Sequence, residues 1–414
     1  MPLLQLLKRC WGISVMYKQQ QAIPKSSLSN HNIPFRYYDA WLMTVILLLI
    51  GLGLVMVASS SIAIADRQFQ EPLYYFWRQS YAAAIGLCLI ATVLNIPLSI
   101  WEFLSVPLLV LGLLLLLLVL IPGVGREVNG STRWISVGSL AFQASEPVKF
   151  CVIAYLAGYM VRHGEHVRNN FAGFIRPICV LTIVAGLLLL EPDYGSCVVL
   201  FATALGMLFM GGVPLGRFFA WVLAAISVLA TLAVLSPYRM QRLMSFSDPW
   251  QDPFNTGFQL TQALIAFGRG DWFGVGLGSS VQKLFYLPEA HTDFVFSVFA
   301  EEFGLLGTVI LVLLFGFLVW RAFVIGHVAE RMGRLFAAYL AYGIGLIIGI
   351  QALINMGVNL GVLPTKGLTL PLMSYGGNSM IISCLLLGIL LRVEVENRQT
   401  KRSTAPDVSK PYAE

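Results

Sequence analysis

The sequence predicts an all-α protein, a polytopic integral membrane bundle of about ten transmembrane helices. Of its 414 residues, 57% are hydrophobic and only 12% are charged, whereas soluble domains carry about 25% charged residues. Apolar segments of about 20 residues, the length at which a helix crosses a bilayer, recur along almost the whole chain. This composition excludes a soluble globular protein and favours one helix bundle over several soluble domains.

Hydropathy places the helices along the chain, and the third is Leu-rich from Leu108 to Leu120. The predicted organisation is a cytoplasmic tail over residues 1–40, one transmembrane domain over 41–392 and a second cytoplasmic tail over 393–414. The predicted spans are Trp41–Ala63, Tyr81–Asn95, Trp101–Ile121, Pro147–Val161, Phe174–Leu190, Gly195–Met210, Pro214–Leu235, Phe294–Trp320, Leu335–Asn359 and Pro371–Leu391.

The distribution of basic residues predicts that both termini are cytoplasmic. In that orientation the short Arg-containing loops 162–176 and 321–334 face inward, as the positive-inside rule requires. The long polar, aromatic and Gly-rich segment 237–293, between helices 7 and 8, then faces outward, and long loops of this kind are usually functional. The net charge of +6 reflects this asymmetry, and nucleic-acid binding explains it poorly because the chain has no soluble basic domain.

The six cysteines suggest no disulfide framework, because none lies in a segment placed on the outer side. We expect them to behave as small buried apolar residues. The stretch that follows Lys8 and Arg9 is too polar for the apolar core of a signal peptide, so no cleavable signal is expected.

Charged residues on the predicted outer side are grouped rather than scattered. They fall in segments 125–149, 191–193 and 239–293 and at Lys366, all at the outer ends of predicted helices. Ionisable groups at a membrane boundary are costly and usually functional. We therefore expect these segments to converge on one outward-facing cavity. The alternative is that each loop is solvated independently.

The fourth predicted helix begins in a polar segment. Ser145 or Glu146 can cap it, and Pro147 suits its first turn. Lys149 lies in the same turn, where an unpaired ammonium group would be expensive. Two interpretations stay open: Lys149 forms a structural ion pair with Glu146, three residues earlier, or it is a cation that faces a ligand.

Two further groups lie near predicted helix ends. Asp193, in the sequence Glu-Pro-Asp-Tyr-Gly, is expected to form a tight turn or to cap the next helix. Arg239 and Arg242 have a spacing that places both on one helical face, and guanidinium groups suit an anionic partner such as pyrophosphate. The glycines at 274, 276 and 278 lack the context of a nucleotide site, and we expect a bend where backbone approaches a ligand.

The densest polar cluster is 287–294, directly before the eighth predicted helix. Pro288 suits a helix N-terminus, and Glu289 and Asp293 would share one face if the helix began there. His291 and the nearby carboxylates could bind a divalent cation such as Mg²⁺ or Mn²⁺, although the ligand spacing is weak. Deeper in the same run, at least one of Glu301 and Glu302 must face the bundle interior, where burial favours a base active near neutrality.

The last polar segments, 364–371 and 374–379, interrupt the apolar pattern before the final helix. Irregular backbone at membrane depth is tolerated where it lines a cavity or is buried in protein. Ser374 and the single charge of this region, Lys366, are therefore candidates for contact with a ligand.

Four motifs now resemble a known family: LPEAHTDF at 287–294, PTKGLTLP at 364–371, SYGGNS at 374–379 and EPDYG at 191–195. Together they are similar to the SEDS family (shape, elongation, division, sporulation) over essentially the whole chain. The segment 238–254, Thr369 and the N-terminal extension favour the division branch, with the elongation branch as the alternative. Asn378 departs from the family pattern, which more often has Ser there.

The resemblance implies a peptidoglycan glycosyltransferase of the bacterial inner membrane, working at the division septum with its active site on the periplasmic face. Such an enzyme links lipid II disaccharides into β-1,4 chains with inversion and releases undecaprenyl pyrophosphate. Asp293 matches the family's essential aspartate and would be the base. The residues expected to bind substrate or stabilise the leaving group are Glu289, His291, Lys366, Arg239, Arg242, Lys149, Glu146, Asp193 and Ser374.

The resemblance also implies partners, namely a class B penicillin-binding protein that acts as the septal transpeptidase, and other membrane proteins of the divisome. Two other functions remain open at this stage. A lipid II flippase would need charges along a route through the bilayer, whereas the polar residues here cluster on the outer side. A non-catalytic divisome scaffold would need none of the clustered carboxylates.

Overall fold

A computed structural model of the chain describes residues 39–128, 131–137, 140–234, 246, 248–255, 257–364 and 367–403. Within these residues the fold is a bundle of α-helices, which confirms the predicted all-α class. The elements are α1 Ala40–Phe69, α2 Tyr74–Val93, α3 Leu98–Phe103, α4 Ser105–Val119, β1 Gly125–Val128, β2 Ser131–Val137, β3 Leu140–Gln143, α5 Ser145–Asn169, α6 Phe171–Leu190, α7 Tyr194–Met210, α8 Leu215–Val234, α9 Phe258–Gly270, α10 Val295–Arg331, α11 Leu335–Asn359 and α12 Gly377–Ser403.

Each of the ten predicted spans has a helical counterpart. Five helices in the described part of the chain (α1, α6, α10, α11 and α12) are long and apolar enough to cross a membrane, and α4, α7 and the first half of α8 are shorter apolar helices. The third predicted span is divided into α3 and α4 at Leu104. Pro107 explains the division, because it has no N–H to donate to the carbonyl of Phe103 and its ring crowds that carbonyl.

A small antiparallel sheet, with the strand order β1-β2-β3, lies between α4 and α5. Its register pairs Gly125 with Ile135 and Trp134 with Gln143. Hydropathy gave no sign of this sheet, because its strands are only four to seven residues long and mix polar with apolar residues. The β-branched residues of Ser131–Val137 are the signal that favours a strand there.

The predicted outer loop contains a helix of its own, α9. Its buried residues include Leu260, Ala263 and Ala266, which recur every three residues on one side of the helix. Gly270, at its end, lies so close to α10 that a Cβ there would collide with the carbonyl oxygen of Ala300. The loop is therefore packed against the bundle as a folded segment.

α10 is longer than a bilayer requires and is interrupted at Gly304. Its 37 residues would span about 55 Å, compared with a hydrocarbon core of about 30 Å. Residues 295–302 are all buried in protein, whereas Leu305 and Leu306 are exposed. At the interruption Gly304 has φ +67° and ψ −167°. The first turns of α10 thus belong to the outer part of the bundle.

The outer loop completes the hydrogen bonding of α10 at this break. The N–H groups of Val275 and Gly276 donate to the carbonyls of Glu301 and Glu302, at 2.9 and 3.1 Å. In return, the N–H groups of Leu305 and Leu306 donate to the carbonyls of residues 271 and 272, at 2.8 and 3.2 Å. The glycines of this loop were expected to approach a ligand. That expectation is wrong for Gly274, which approaches the α10 backbone.

Both deep carboxylates of α10 are buried and paired. Glu301 accepts hydrogen bonds from Arg269 Nη1 at 3.1 Å and from the hydroxyl of Ser280. Its oxygens also accept from the N–H groups of residues 281 and 282, at 3.1 and 3.3 Å. Glu302 accepts from Lys283 Nζ at 2.8 Å and from Ser59 Oγ at 2.7 Å. Because these contacts hold the loop on α10 and α1, the carboxylates are structural rather than candidate bases.

Ion pairs gather at the opposite end of the bundle. Arg321 pairs with Asp39 and with Glu394, and Arg334 pairs with Glu396, so that α1, α10, α11 and α12 are joined there. These residues belong to segments predicted to face the cytoplasm. α12 runs on to Ser403 instead of ending near 391, so the predicted C-terminal tail begins as helix. The predicted N-terminal tail lies almost wholly outside the described residues.

The contact between Gly274 and the α10 backbone can be tested with Gly274→Ala, since its Cβ would collide with the carbonyl oxygen of Glu302. We expect a marked fall in the midpoint of thermal unfolding in detergent. Gly278→Ala is the control: Gly278 has nearly the same φ, +81°, but nothing within 4 Å of a Cβ. It should cost only the left-handed strain, about 1–2 kcal/mol. Equal effects of the two variants would contradict the close approach.

Candidate active site

The outer segments that the sequence singled out meet in the structure. The backbone N–H of Tyr375 donates to the carbonyl of His291 at 2.8 Å, which joins the motifs at 374–379 and 287–294. Gly367 lies beside Asp293, and a Cβ there would be 3.2 Å from Asp293 Oδ2. Gly195, after the turn at 191–193, packs on the side chain of Leu368, which would be 2.9 Å from a Cβ there. These segments therefore lie together, whereas the outward-facing cavity that they were expected to line stays a prediction.

The small sheet also belongs to this end of the bundle. Arg133, on β2, donates to the carbonyl of Pro192 and lies 3.8 Å from a carboxylate oxygen of Asp193. Asn378, at the start of α12, donates from Nδ2 to the carbonyl of Ala141 on β3 at 3.0 Å. The sheet thus covers the turn at 191–193 and the start of α12.

Asp293 is half-buried and lies in a turn, not on a helix. The expectation that Glu289 and Asp293 share a helical face is wrong, because α10 begins only at Val295. Glu289 has φ +58°, and its carbonyl accepts the N–H groups of Thr292 and Phe294, each at 3.2 Å. Its exposed carboxylate accepts the hydroxyl of Thr292 at 2.6 Å. These local hydrogen bonds favour the turn over the first turn of a helix.

His291 is buried in an aromatic cluster beside Asp293. Its ring centroid lies 4.6 Å from that of Tyr75 and 5.6 Å from that of Tyr375. Burial lowers the pKa of His291, and the charge of Glu289 opposes this shift only in part. The imidazole is therefore neutral at physiological pH. Tyr75, on α2, was not predicted as part of the site, because an aromatic residue at a helix start carries no specific signal.

A divalent cation at His291 and the nearby carboxylates was a prediction from the sequence. In the part of the chain that the structure describes, no group of three or more His, Cys, Asp or Glu side chains could hold a metal ion. His291 Nδ1 has no hydrogen-bond partner, but one nitrogen does not make a metal centre. The predicted cation stays a prediction, because Mg²⁺ is often held by only one or two carboxylates together with substrate phosphates.

Lys149 forms the ion pair that was one of its two open interpretations. Its ammonium donates to Glu146 at 2.8 Å and to Oε1 of Gln351, on α11, at 2.9 Å. Only 3% of the Lys149 side chain is exposed. The predicted capping by Ser145 or Glu146 is wrong: α5 begins at Ser145, after an Ala144 N-cap that makes no side-chain bond. Both side chains lie inside the first turn, beyond the capping position.

The turn at 191–193 contains one carboxylate that caps a helix and one that caps nothing. Asp193 caps α7 as predicted, its Oδ1 accepting the N–H of Ser196 at 3.2 Å. Glu191 is fully buried, and among the described residues neither of its carboxylate oxygens has a hydrogen-bond partner. Burial, with a smaller contribution from Asp193, raises the pKa of Glu191 to about 8. Glu191 is therefore largely protonated at neutral pH.

Ser374 holds the shape of its own loop. Its Oγ accepts the N–H of Leu370 at 2.8 Å, and its carbonyl accepts Nε2 of Gln79, on α2, at 3.0 Å. Gln79 Oε1 in turn accepts the N–H of Gly376 at 3.1 Å. Sequence reasoning missed Gln79, because it lies before the predicted span Tyr81–Asn95, between the polar residues Arg78 and Ser80. Three predicted site residues, Lys366, Arg239 and Arg242, lie outside the described residues.

The ion pair predicts how α5 responds to loss of one charge. Lys149→Met leaves Glu146 buried without its cation, which typically costs about 3–5 kcal/mol. Thermal unfolding in detergent should show a large decrease in midpoint. Adding Glu146→Gln to the same chain should restore much of the loss, because the unpaired charge is then removed. A double variant no more stable than Lys149→Met would contradict a structural pair.

The Glu191 carboxyl predicts a pH dependence of stability. Because its pKa is raised from about 4.5 to about 8 on folding, the folded state binds more protons than the unfolded state between these values. Its contribution to stability is therefore complete below about pH 4.5 and is lost as the pH rises to about 8. In Glu191→Gln this loss should disappear. Unfolding midpoints of both proteins from pH 5 to 9 test this, and parallel curves would refute it.

The chain is similar to known proteins over most of its length. The model of the FtsW, RodA and SpoVE family, described as cell cycle proteins, matches residues 40–399. A relative from Thioalkalivibrio sulfidiphilus is 56% identical over 86% of this chain and 90% of its own length. A relative from Legionella pneumophila is 51% identical over 88% of this chain and 93% of its own length. Both are named probable peptidoglycan glycosyltransferase FtsW.

Two solved structures share the fold. A chain from a peptidoglycan synthase complex, whose structure concerns the coordination of polymerization and crosslinking, has a TM-score of 0.71 at 33% identity. The match covers 87% of this chain and 99% of that one. The rod shape determining protein RodA of Thermus thermophilus has a TM-score of 0.64 at 30% identity, covering 86% and 96%. The chain is a multi-pass membrane protein of bacteria and belongs to the SEDS family of cell cycle proteins.

Proposed function

We propose that this chain is a peptidoglycan glycosyltransferase that polymerises lipid II at the periplasmic face of the inner membrane, in septal cell-wall synthesis. The names of its relatives support the activity and the division branch. The single observation that carries the proposal is the place of Asp293. Its carboxyl group lies where two irregular outer loops meet, against a residue without a side chain, Gly367.

In this proposal Asp293 is the general base. Its carboxylate takes the proton from the 4-hydroxyl of the acceptor sugar as that oxygen attacks C1 of the donor sugar. The bond between C1 and the pyrophosphate oxygen breaks, and its electron pair leaves with undecaprenyl pyrophosphate. Attack opposite the leaving group converts the α-linkage into a β-1,4 bond with inversion. Cationic groups would stabilise the departing pyrophosphate, the role proposed for Lys366, Arg239 and Arg242.

The other predicted site residues then divide by their surroundings. Glu289 is exposed at the rim and is free to contact the acceptor sugar, whereas His291 is a neutral, buried wall of the site. Asp193 and Ser374 accept backbone N–H groups and so shape the loops. Glu146 and Lys149 are buried as a pair and would act only through the residues they hold.

We further propose that the working enzyme is a complex with a class B penicillin-binding protein, the septal transpeptidase, and that other divisome membrane proteins join it. One structural relative belongs to a peptidoglycan synthase complex, which supports this partner. The separation of charges supports the orientation. Arg-rich ion pairs lie at one end of the bundle, and Asp293 lies at the other.

Replacement of the proposed base tests the activity. Asp293→Asn, purified with the transpeptidase partner and supplied with lipid II, should polymerise about 10²–10⁴ times more slowly than the wild type, because a general base contributes that range. Asp66→Asn is the matched control, since it removes an exposed carboxylate near the end of α1 and should retain most activity. Glycan products are measured by gel electrophoresis.

Other outcomes would point to the two alternative functions. Polymerisation by Asp293→Asn within about threefold of the wild-type rate would overturn the assignment of the base. If the wild-type complex forms no glycan but moves labelled lipid II across vesicles, the flippase function would replace the enzyme. If Asp293→Asn supports normal division in cells that lack the native gene, a scaffold would be the better description.

A further inference from the structure

Three side-chain amides lie one turn apart on α11, at Gln351, Asn355 and Asn359. The spacing of four residues places them on one face of the helix, and they are 5%, 2% and 0% exposed, respectively. We propose that this amide ladder fixes the distance between Asp293 and the loop 367–370, so that its members are positioning residues for the reaction. The inference rests on the proposed function and extends it to residues that do not touch substrate.

The ladder bonds to the backbone of both loops. Asn355 Nδ2 donates to the carbonyl of Asp293 at 2.9 Å and to the carbonyl of Leu368 at 2.6 Å. Asn359 Nδ2 donates to the same Asp293 carbonyl at 3.0 Å. Gln351 Nε2 donates to the carbonyl of Thr369 at 2.9 Å. One amide group, that of Asn355, therefore bridges the two segments that meet at the proposed base.

Neighbouring groups determine which way two of the amides point. Lys149 donates to Oε1 of Gln351 at 2.9 Å, so that Nε2 must face the loop. At the other end, the N–H and hydroxyl of Ser297, on α10, donate to Oδ1 of Asn359 at 3.2 and 2.7 Å. Each terminal amide is thus held through its acceptor atom, which leaves its donor for the loop carbonyl. Lys149 of the buried Lys149–Glu146 pair therefore also orients the side chain of Gln351.

Both loops need this support because neither has regular secondary structure at the bonded positions. The carbonyls of residues 293, 368 and 369 lie outside helices and strands. A buried carbonyl without a partner is costly, so the ladder stabilises one relative placement of the loops. A shift of about 1 Å would break these bonds and move the base relative to the acceptor hydroxyl. Misplacement of that size can cost about 10²-fold in rate.

Asn355→Leu tests the bridge, since it keeps similar volume and removes both donors. In the complex with the transpeptidase partner, kcat for lipid II polymerisation should fall about 10²-fold while KM stays within about threefold, because contacts with substrate are intact. Hydrogen–deuterium exchange without substrate should become faster in peptides 287–294 and 367–376. Asn95→Leu is the matched control: Asn95 is exposed, and its side chain donates to the carbonyl of Ala91 four residues earlier, in α2, so both readouts should stay at wild-type values.

Gln351→Glu provides a second test if Asn355→Leu is poorly folded. It keeps the acceptor for Lys149 but loses the donor to Thr369. Exchange should increase in peptide 367–376 and stay unchanged in 287–294, which is bonded through the other two amides. Unchanged exchange in both variants, or a rise in KM without a fall in kcat, would overturn the ladder. Since exchange is measured without substrate, that result is independent of whether Asp293→Asn confirms the proposed reaction.

Discussion

The constraint on which the outer half of this protein depends is the hydrogen bonding of irregular backbone. The segments that form the site have neither helix nor sheet partners, yet they are largely buried. A buried N–H or carbonyl without a partner costs about 1–3 kcal/mol. Side chains of the surrounding helices supply those partners: Gln79 from α2, Glu301 from α10 and Asn355 from α11. These three polar residues of the helices therefore serve to bind the backbone of the outer loops.

The buried carboxylates differ in whether they have a hydrogen-bond partner. Glu146, Glu301 and Glu302 each have a cation within hydrogen-bond distance, and Glu301 also caps two backbone N–H groups. Glu191 has no hydrogen-bond partner in the described part of the chain, and its raised pKa is the physical consequence. Burial alone is thus a poor guide to which carboxylate performs chemistry. Asp293 is distinguished by its place where two loops meet.

The sequence was most informative where one physical signal dominates. The helices that match the ten predicted spans follow from hydropathy, because a bilayer requires apolar helices of a certain length. The grouping of outer motifs follows from helix ends that alternate between two sides of a membrane. The Lys149–Glu146 pair and the Asp193 cap were predictable because both depend on residues three positions apart. These are local relations, readable from spacing.

What the sequence did not reveal depends on contacts between distant segments. Gly274 looked like a ligand-binding glycine, and only the position of α10 shows that it approaches a helix. Glu289 was expected to lie on a helix, but α10 begins only at Val295, and the bond from the hydroxyl of Thr292 favours a turn. Gln351, Asn355 and Asn359 share a helical spacing, but their common role needs the two loops that they bond.

The reciprocal backbone hydrogen bonds beside Gly304 close the segment 271–305 into a loop. The N–H of Leu305 donates to the carbonyl of Asp271, so that the two ends of this segment are joined. Asp293 is one of the residues of this closed segment. Closing a longer loop costs little extra entropy, about 0.6 kcal/mol for each doubling of length. Relatives should therefore vary in length most readily near residues 284–286, which are exposed. Between residues 271 and 276 we expect no change in length, because one inserted residue would disrupt the backbone hydrogen bonds between this segment and α10.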